Sequence, residues 1–392
     1  MMMASIRMPI TSFSDILEAS GEIMKFQPRG TSPETDLSRK GGPAVDSVLV
    51  AMSGGVDSTH AALVLLERGY RVRGVTFVFW GDGGEAGSLP HVARAREVAA
   101  KLGIEHEVLD LRETFFREVI SYFAAEYMAG RTPNPCIICN RRVKFEALWK
   151  LASGRGCSWV ATGHYARLAG RGGEVRLLRA RDRAKDQSYV LYRLGRLILS
   201  HCLFPNGELT KDEAREAVAE KLGMDFPGES QDICFLSGED YRDFLASRFP
   251  VSARPGPLLD TGGRELGRHR GIAFYTVGQR RGLGVGGPEA LYVVALDPAR
   301  NAVVLGRKDE VPGWWLEAEE SVWLEGAPPS QEFEAEAMIR YNAEPVPCRV
   351  AASADRIRVE FRKKVWAITP GQHVVIYRGE EVLGGGVIAR AG

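Results

Sequence analysis

The stretch "DSVLVAMSGGVDSTHAALVLLERGY", Asp46 to Tyr70, decides the fold. It opens on an apolar run of strand length, turns through "SGGVDS", and continues as an apolar-periodic helix. A strand that feeds a helix through such a turn presents backbone N–H groups at a helix N-terminus. Gly54 and Gly55 let the chain close there on an anion. Ser53 and Ser58 add hydroxyl donors, and Asp57 is the residue type that holds a magnesium ion against phosphate oxygens. The lysine of the G-x-x-x-x-G-K-[ST] loop is absent, so a γ-phosphate grip is not expected. The pattern predicts a pyrophosphate cradle, in which ATP is cleaved between its α and β phosphates and a substrate oxygen receives AMP.

Working outward, "RVRGVTFVF" predicts a second strand, "LPHVARAREVAAKLG" a helix and "EHEVLDL" a third strand. Helices are expected over roughly 114–129 and from about Val143, and "CSWVATGH" reads as a strand leading into an active loop. Repeated β-α units of this kind predict an α/β fold with a parallel sheet, covered by helices and binding ligands at the carboxyl ends of its strands, over 46–205. The character changes near Phe204. "ELTKDEAREAVAEKLG" is a helix with Thr210 as N-cap and Glu213 three residues on, and "YRDFLASRF" is a shorter one. A Gly/Pro-punctuated region completes a small central domain, 206–284. From about 290 short alternating segments recur between turn signals, which predicts an antiparallel β-barrel over 285–392.

Composition narrows the class. The chain has 392 residues, 45% hydrophobic and 26% charged, enough to build cores without staples. Its six cysteines are scattered apart from Cys136 and Cys139, which argues against a secreted disulfide scaffold and for a reducing, cytoplasmic setting. No run of eighteen apolar residues appears, so no membrane partner is expected. Residues 1–45 lack a signal-peptide core, and Asp15, Glu18 and Glu22 argue against a transit peptide; a flexible extension with one short helix around 12–24 is expected. The net charge of +1 leaves a nucleic-acid partner open. Locally, Arg167 to Arg196 holds nine basic residues against three acidic ones, interleaved with Tyr189 and Tyr192. That stretch suits phosphate contacts, with a solvated hairpin as the alternative.

"SGGVDS" resembles the loop of the PP-loop ATP pyrophosphatases. Further motifs are "TPNPCIICNRRVKF" (132–145), "ATGHYAR" (161–167), "KDQSYVLYRL" (185–194), "LFPNGELTK" (203–211), "SQDICFL" (230–236), "YTVGQRRGLG" (275–284) and "PGQHVVIY" (370–377). Together they resemble the tRNA-specific 2-thiouridylase family from about 46 to 390. The resemblance implies an ATP-dependent tRNA sulfurtransferase that activates C2 of the wobble uridine in glutamate, glutamine and lysine tRNAs and replaces its oxygen by sulfur. Its partners would be the tRNA anticodon loop, not DNA, and a sulfur donor, either a persulfide carrier or hydrosulfide.

Site roles follow from the same resemblance. Ala51, Met52, Ser53, Gly54, Gly55, Val56, Asp57 and Ser58 would cradle ATP with Mg²⁺, Phe77 would line the adenine pocket, and Gly163 would approach the nucleotide. Asn134, Pro135 and Cys136 would flank a uridine splayed from the loop. His164, Lys185, Asp186, Gln187, Arg340, Tyr341 and Gln372 would touch tRNA. Cys139 stands at the position of the catalytic cysteine, and Cys234 at that of the persulfide carrier.

The cysteines support competing readings. A structural zinc site needs four N/S ligands, and only one C-x-x-C is present. A thioredoxin-like pair would belong at the head of a helix after the first strand. In the persulfide scheme the terminal sulfur on Cys234 attacks the adenylated carbon and Cys139 resolves the intermediate as a 139–234 disulfide. Members following that scheme carry aspartate where this chain has Cys136. With Cys136 present, three thiolates form the ligand set of a [4Fe-4S] cluster with one iron open to hydrosulfide, and this reading is placed first. Cys157, Cys202 and Cys348 read as core residues. The rival functions are a small-molecule PP-loop ligase, which has no use for Cys139 and Cys234, and a tRNA-binding protein without catalysis. The loop "GDGGEAGSLP" after Trp80 is shorter than the family leads one to expect.

Overall fold

A computed structural model describes residues 46–81, 84–170, 174–226, 233–286, 289–353 and 355–392. The extension expected over 1–45 lies outside them, as do Ser230, Gln231 and Asp232 of the "SQDICFL" motif.

The expected parallel sheet is present. Its strands run in the order Glu105–Asp110, Arg71–Val78, Ser47–Ala51, Trp159–Ala161, Cys202–Leu203, all parallel. Val48, Leu49 and Val50 are fully buried because helices cover both faces, and each such burial stabilises by about 1.5–3 kcal/mol. The order reverses beside Ser47–Ala51, so the loops that follow this strand and Trp159–Ala161 flank one crevice. That is where a doubly wound sheet binds its ligand.

The helix expected from Val143 begins eight residues earlier. Pro135–Cys139 is its first turn, with Asn134 as N-cap accepting from the Ile137 N–H at 3.3 Å and Pro135 at the position where a missing N–H costs nothing. A π turn, Asn140–Lys144, then leads into Phe145–Gly154. A second π turn, Phe116–Ile120, interrupts the helix expected over 114–129. Cys136 and Cys139 therefore sit in the first turn of a capped helix.

In the second sheet the order is Tyr292–Asp297, Ala302–Gly306, Gly256–Asp260, Glu265–His269. Its first two strands, read from the sequence with the barrel, instead join the sheet of the central segment, Tyr292–Asp297 pairing with Ala302–Gly306 and the latter lying parallel to Gly256–Asp260. Alternating strand pattern does not say which neighbour a strand chooses.

The barrel proper closes when Trp315–Trp323 pairs with both Ile357–Phe361 and Glu381–Ala391. The short hairpin Arg167–Ala169 and Arg176–Leu178 is added to its edge through Glu381 and Leu178. One core of buried side chains runs from the parallel sheet into the barrel through Tyr189, Tyr192, Val375 and Tyr377.

Candidate active site

The glycine-rich loop holds its own shape. Ser58 Oγ accepts from the Ser53 N–H at 3.1 Å and donates to the Gly55 carbonyl at 3.0 Å, and the two serine hydroxyls lie 3.2 Å apart. Gly54 has φ +76° and a Cβ there would meet the His91 carbonyl at 2.6 Å, so only glycine fits. Gly55 caps the helix Val56–Glu67, which places the free N–H groups of its first turn at the loop. A Cβ on Gly163 would stand 2.6–2.8 Å from the Asp57 and Ser58 backbone, so that glycine permits the close approach of the second crevice loop. Phe77 is buried beside Phe79, ring centroids 5.7 Å apart.

Asp57 is held from several sides. Its Oδ1 accepts from Tyr165 Oη at 2.7 Å and from Lys211 Nζ at 2.6 Å. Asn206 donates to the backbone carbonyls of Asp57 and Gly163, both at 3.0 Å, and faces His60 Nδ1 at 2.8 Å. Neither Lys211 nor Asn206 carried a role in the sequence reading; the signal was "LFPNGELTK", where both stand. Gly207 in the same motif lies against the Ala166 carbonyl so closely that a Cβ would come within 2.0 Å.

The cysteine helix faces the aromatic core beneath the central sheet. Cys139 is buried there with Phe115, Phe123, Val143 and Phe244. Phe235 enters the same cluster, 5.2 Å from Phe123 and 5.3 Å from Phe244 between ring centroids, and this anchor brings its neighbour Cys234 to the helix. The three thiols lie within electrostatic reach of one another and of Lys144. Burial pushes the Cys136 thiol up to about 11, the Cys234 charge adds to this, and Lys144 opposes it. Burial takes Cys139 up to about 12 against the same lysine, and raises Cys234 as well. Cys136 and Cys234 nevertheless keep solvent access.

Two adjacent residues join the nucleotide loop to the cysteines. Gly163 touches the loop backbone, and His164 lies 5.8 Å from the Phe145 ring on the cysteine helix. His164 bonds to Thr162 Oγ1 at 2.7 Å, and burial together with Lys144 holds its pKa well below the ordinary histidine value. It is a neutral side chain at physiological pH.

Among the described residues no three His, Cys, Asp or Glu side chains are placed to hold a single metal ion. A four-iron cluster is ligated on separate irons, so its cysteines need not meet at one point, and three neighbouring thiols are a suitable donor set for it.

The comparisons with known proteins agree along the chain. Residues 46–238 match the family described as tRNA methyl transferase HUP domain, 242–307 its PRC-barrel domain, and 315–388 the aminomethyltransferase beta-barrel domain. The tRNA-specific 2-thiouridylase MnmA of Chloroflexus aurantiacus is 49% identical over 354 residues, covering 88% of this chain and 98% of that protein. The protein of the same name from Carboxydothermus hydrogenoformans is 47% identical over 359 residues, covering 88% and 97%. The chain belongs to the tRNA-specific 2-thiouridylase family. Among solved structures, a 4-thiouridine synthetase–RNA complex with bound ATP overlaps at 19% identity and a TM-score of 0.32, covering 45% of this chain and 40% of that one, too loosely to carry an argument.

The structure sorts the residues that thiouridylase resemblance assigns to tRNA. Gln372 Nε2 donates to the Thr132 and Pro133 carbonyls at 3.0 and 3.1 Å, so it positions the loop that carries Asn134, Pro135 and Cys136. The Tyr341 hydroxyl is pushed up to about 12 by burial, then by Asp186 and Cys136, which places it near the same loop. Arg340 donates through Nη2 to the Trp366 and Ala367 carbonyls at 2.9 and 2.7 Å. The Asp186 carboxylate is buried and accepts from Arg179, the Ala180 and Ser188 N–H groups and the Ser188 hydroxyl. The Gln187 side chain accepts from the Tyr165 N–H. Asp186 and Gln187 thus shape the segment beside Lys185 with their own side chains.

The basic stretch is also largely spoken for. Arg167 and Arg183 pair with Glu380, Arg176 with Glu381, Arg179 with Asp186, Arg181 with Glu213 and Arg193 with Glu320. Tyr189 and Tyr192 are fully buried and bond to His373, so they are core residues and not stacking platforms for bases. Their cations mostly tie the nucleotide domain to the barrel.

Proposed function

We propose that this chain is a tRNA sulfurtransferase that adenylates the 2-oxygen of the wobble uridine of glutamate, glutamine and lysine tRNAs and replaces it by sulfur, releasing AMP and pyrophosphate. The observation that carries the reading is the pair Gly163 and His164. One packs on the phosphate loop and the next on the cysteine helix, so ATP activation and sulfur delivery share one cleft. Residues 51–58 hold the ATP phosphates, with Asp57 offering a carboxylate to accompanying Mg²⁺, and Phe77 stands at the adenine end. Adenylation converts a poor oxide leaving group into AMP, and the loop N–H groups stabilise the charge that develops on phosphate.

A splayed uridine enters between Asn134, Pro135 and Cys136, with tRNA gripped by Lys185, Arg340, Tyr341 and the barrel. Two sulfur routes fit the cysteines. Cys136, Cys139 and Cys234 would hold a [4Fe-4S] cluster, whose chemistry when bound is an open iron site for sulfide. In the other route Cys234 receives a persulfide from a donor, its terminal sulfur attacks C2 as AMP leaves, and the Cys139 thiolate attacks Cys234 Sγ. That frees 2-thiouridine and leaves a 139–234 disulfide, which a cellular thiol reduces. Among the described residues no helix is long and apolar enough to cross a membrane.

The test is reconstitution with tRNA, ATP, Mg²⁺ and either sulfide or a persulfide donor under anaerobic conditions, followed by nucleoside analysis. Equal yields of 2-thiouridine and pyrophosphate are expected. Pyrophosphate release with a free metabolite but none with tRNA would move the reading to a small-molecule ligase. Full activity in iron-free protein supplied with a persulfide donor, and none with sulfide alone, would select the persulfide route.

A further inference from the structure

The phosphate loop lacks a lysine, yet the fold brings one to it. Lys211 is the first residue of the helix Lys211–Leu222, whose start is fixed by a capping box between Thr210 and Glu213. Its N–H donates to Asp182 Oδ2 at 3.1 Å, its side chain is only 10% exposed, and its Nζ lies 2.6 Å from Asp57 Oδ1. The Tyr165 ring sits 5.9 Å from the ammonium, and the Tyr165 hydroxyl donates to the same carboxylate oxygen at 2.7 Å. Five residues before Lys211, the fully buried Asn206 binds the Asp57 carbonyl. One short segment therefore grips Asp57 by both backbone and side chain.

This contact answers an electrostatic problem. Asp57 is the second residue of the helix Val56–Glu67, where a carboxylate neutralises the positive N-terminal field on which the loop relies to attract phosphate. An uncompensated carboxylate would also repel the polyphosphate directly. We propose that Lys211 is a positioning residue of the nucleotide site, cancelling the Asp57 carboxylate so that the loop 53–58 presents a net positive field to ATP. Lys211 acts through Asp57, across 154 residues of chain. The inference rests on the reading of 53–58 as the ATP phosphate loop.

The experiment is ATP binding to the full chain by calorimetry in EDTA, so that the magnesium role of Asp57 does not enter. The variants are Lys211→Met, Lys211→Arg, Asp57→Asn and the double change Asp57→Asn with Lys211→Met, each checked for an unchanged melting profile. Lys211→Met is expected to weaken ATP by about tenfold or more, with the loss shrinking as salt is raised. Lys211→Arg is expected to recover most of the affinity, and the double variant to bind several-fold more tightly than Lys211→Met alone because no uncompensated carboxylate remains. Wild-type affinity in Lys211→Met, or a double variant as weak as Lys211→Met alone, would overturn the proposal. Wild-type protein that binds no ATP either in EDTA or with Mg²⁺ would overturn the loop reading together with it. A loss in Lys211→Met that is insensitive to salt and not rescued by arginine would show that the side chain serves only packing, and would overturn the proposal as well.

Discussion

Gln372 of the barrel and Thr132 of the cysteine loop are hydrogen-bonded across 240 residues, the Gln372 amide donating at 3.0 Å to the Thr132 carbonyl. The same amide reaches Pro133, and the Thr132 N–H returns to the Pro370 carbonyl at 2.8 Å. The loop ahead of Cys136 is thus set from the C-terminal domain. Replacing Gln372 by alanine removes two part-buried hydrogen bonds to backbone carbonyls, each worth about 1 kcal/mol. A drop in kcat/KM for tRNA of roughly ten- to a hundredfold is expected, with the ATP affinity unchanged. Equal kinetics for tRNA in this variant would remove the positioning role.

Cys139→Ser and Cys234→Ser should each leave tRNA-dependent pyrophosphate release measurable while abolishing 2-thiouridine. The two activities separate because the proposed function handles ATP at 51–58 and sulfur at the helix. In wild type, burial raises the Cys139 thiol to about 12, so in the protein without a cluster its alkylation should be slower than that of an ordinary thiol and still climb with pH above the usual value of 9.0. Mass spectrometry of iodoacetamide-treated protein across a pH series reads this directly. A rate that levels off below 9.0 would contradict the buried environment.

Gly163→Ala places a Cβ against backbone atoms of Asp57 and Ser58 that have no flexible end to move aside. The variant should fold with a cost of about 1–3 kcal/mol and lose ATP binding by tenfold or more. Denaturation midpoints and nucleotide titration separate the two effects. Unchanged ATP affinity would mean that the second crevice loop does not shape the phosphate site.

His373 is fully buried, its Nδ1 is 2.7 Å from Tyr192 Oη, and burial first and Arg193 second hold its pKa well below 6.5. His164 is depressed in the same direction by burial and Lys144. Both histidines take up protons more readily unfolded than folded. Stability is therefore fully present above the unfolded value of 6.5 and falls as pH drops through it, by about 1.4 kcal/mol per pH unit for each histidine. Urea midpoints at descending pH should show this loss, and His373→Gln should make the curve shallower. A midpoint that does not move with pH would refute the assignment of a neutral buried imidazole.

Legibility in the sequence followed the range of the interactions. The strand, loop and helix from Ser47 to Glu67 repeat a pattern set by adjacent residues, and Thr210 with Glu213 announces its helix in the same way. The helix expected from Val143 starts at Pro135, where Asn134 and Pro135 carry the cap signal in the sequence itself. The basic residues from Arg167 to Arg196 looked like a phosphate surface, but a charge count does not reveal that Glu208, Glu213, Glu320, Glu380 and Glu381 lie opposite them.

By itself the sequence determined the parallel sheet, the form of its glycine-rich loop and the three cysteines on which the proposed sulfur chemistry rests. Those features rest on periodicity and on residue types within one short segment. Tertiary structure alone decided that Lys211 and Asn206 hold Asp57, that Phe235 carries Cys234 to Cys139, and that Gln372 sets the loop before Cys136. Each of these joins residues far apart in the chain, and such partners are chosen by how the packed cores bring distant segments together.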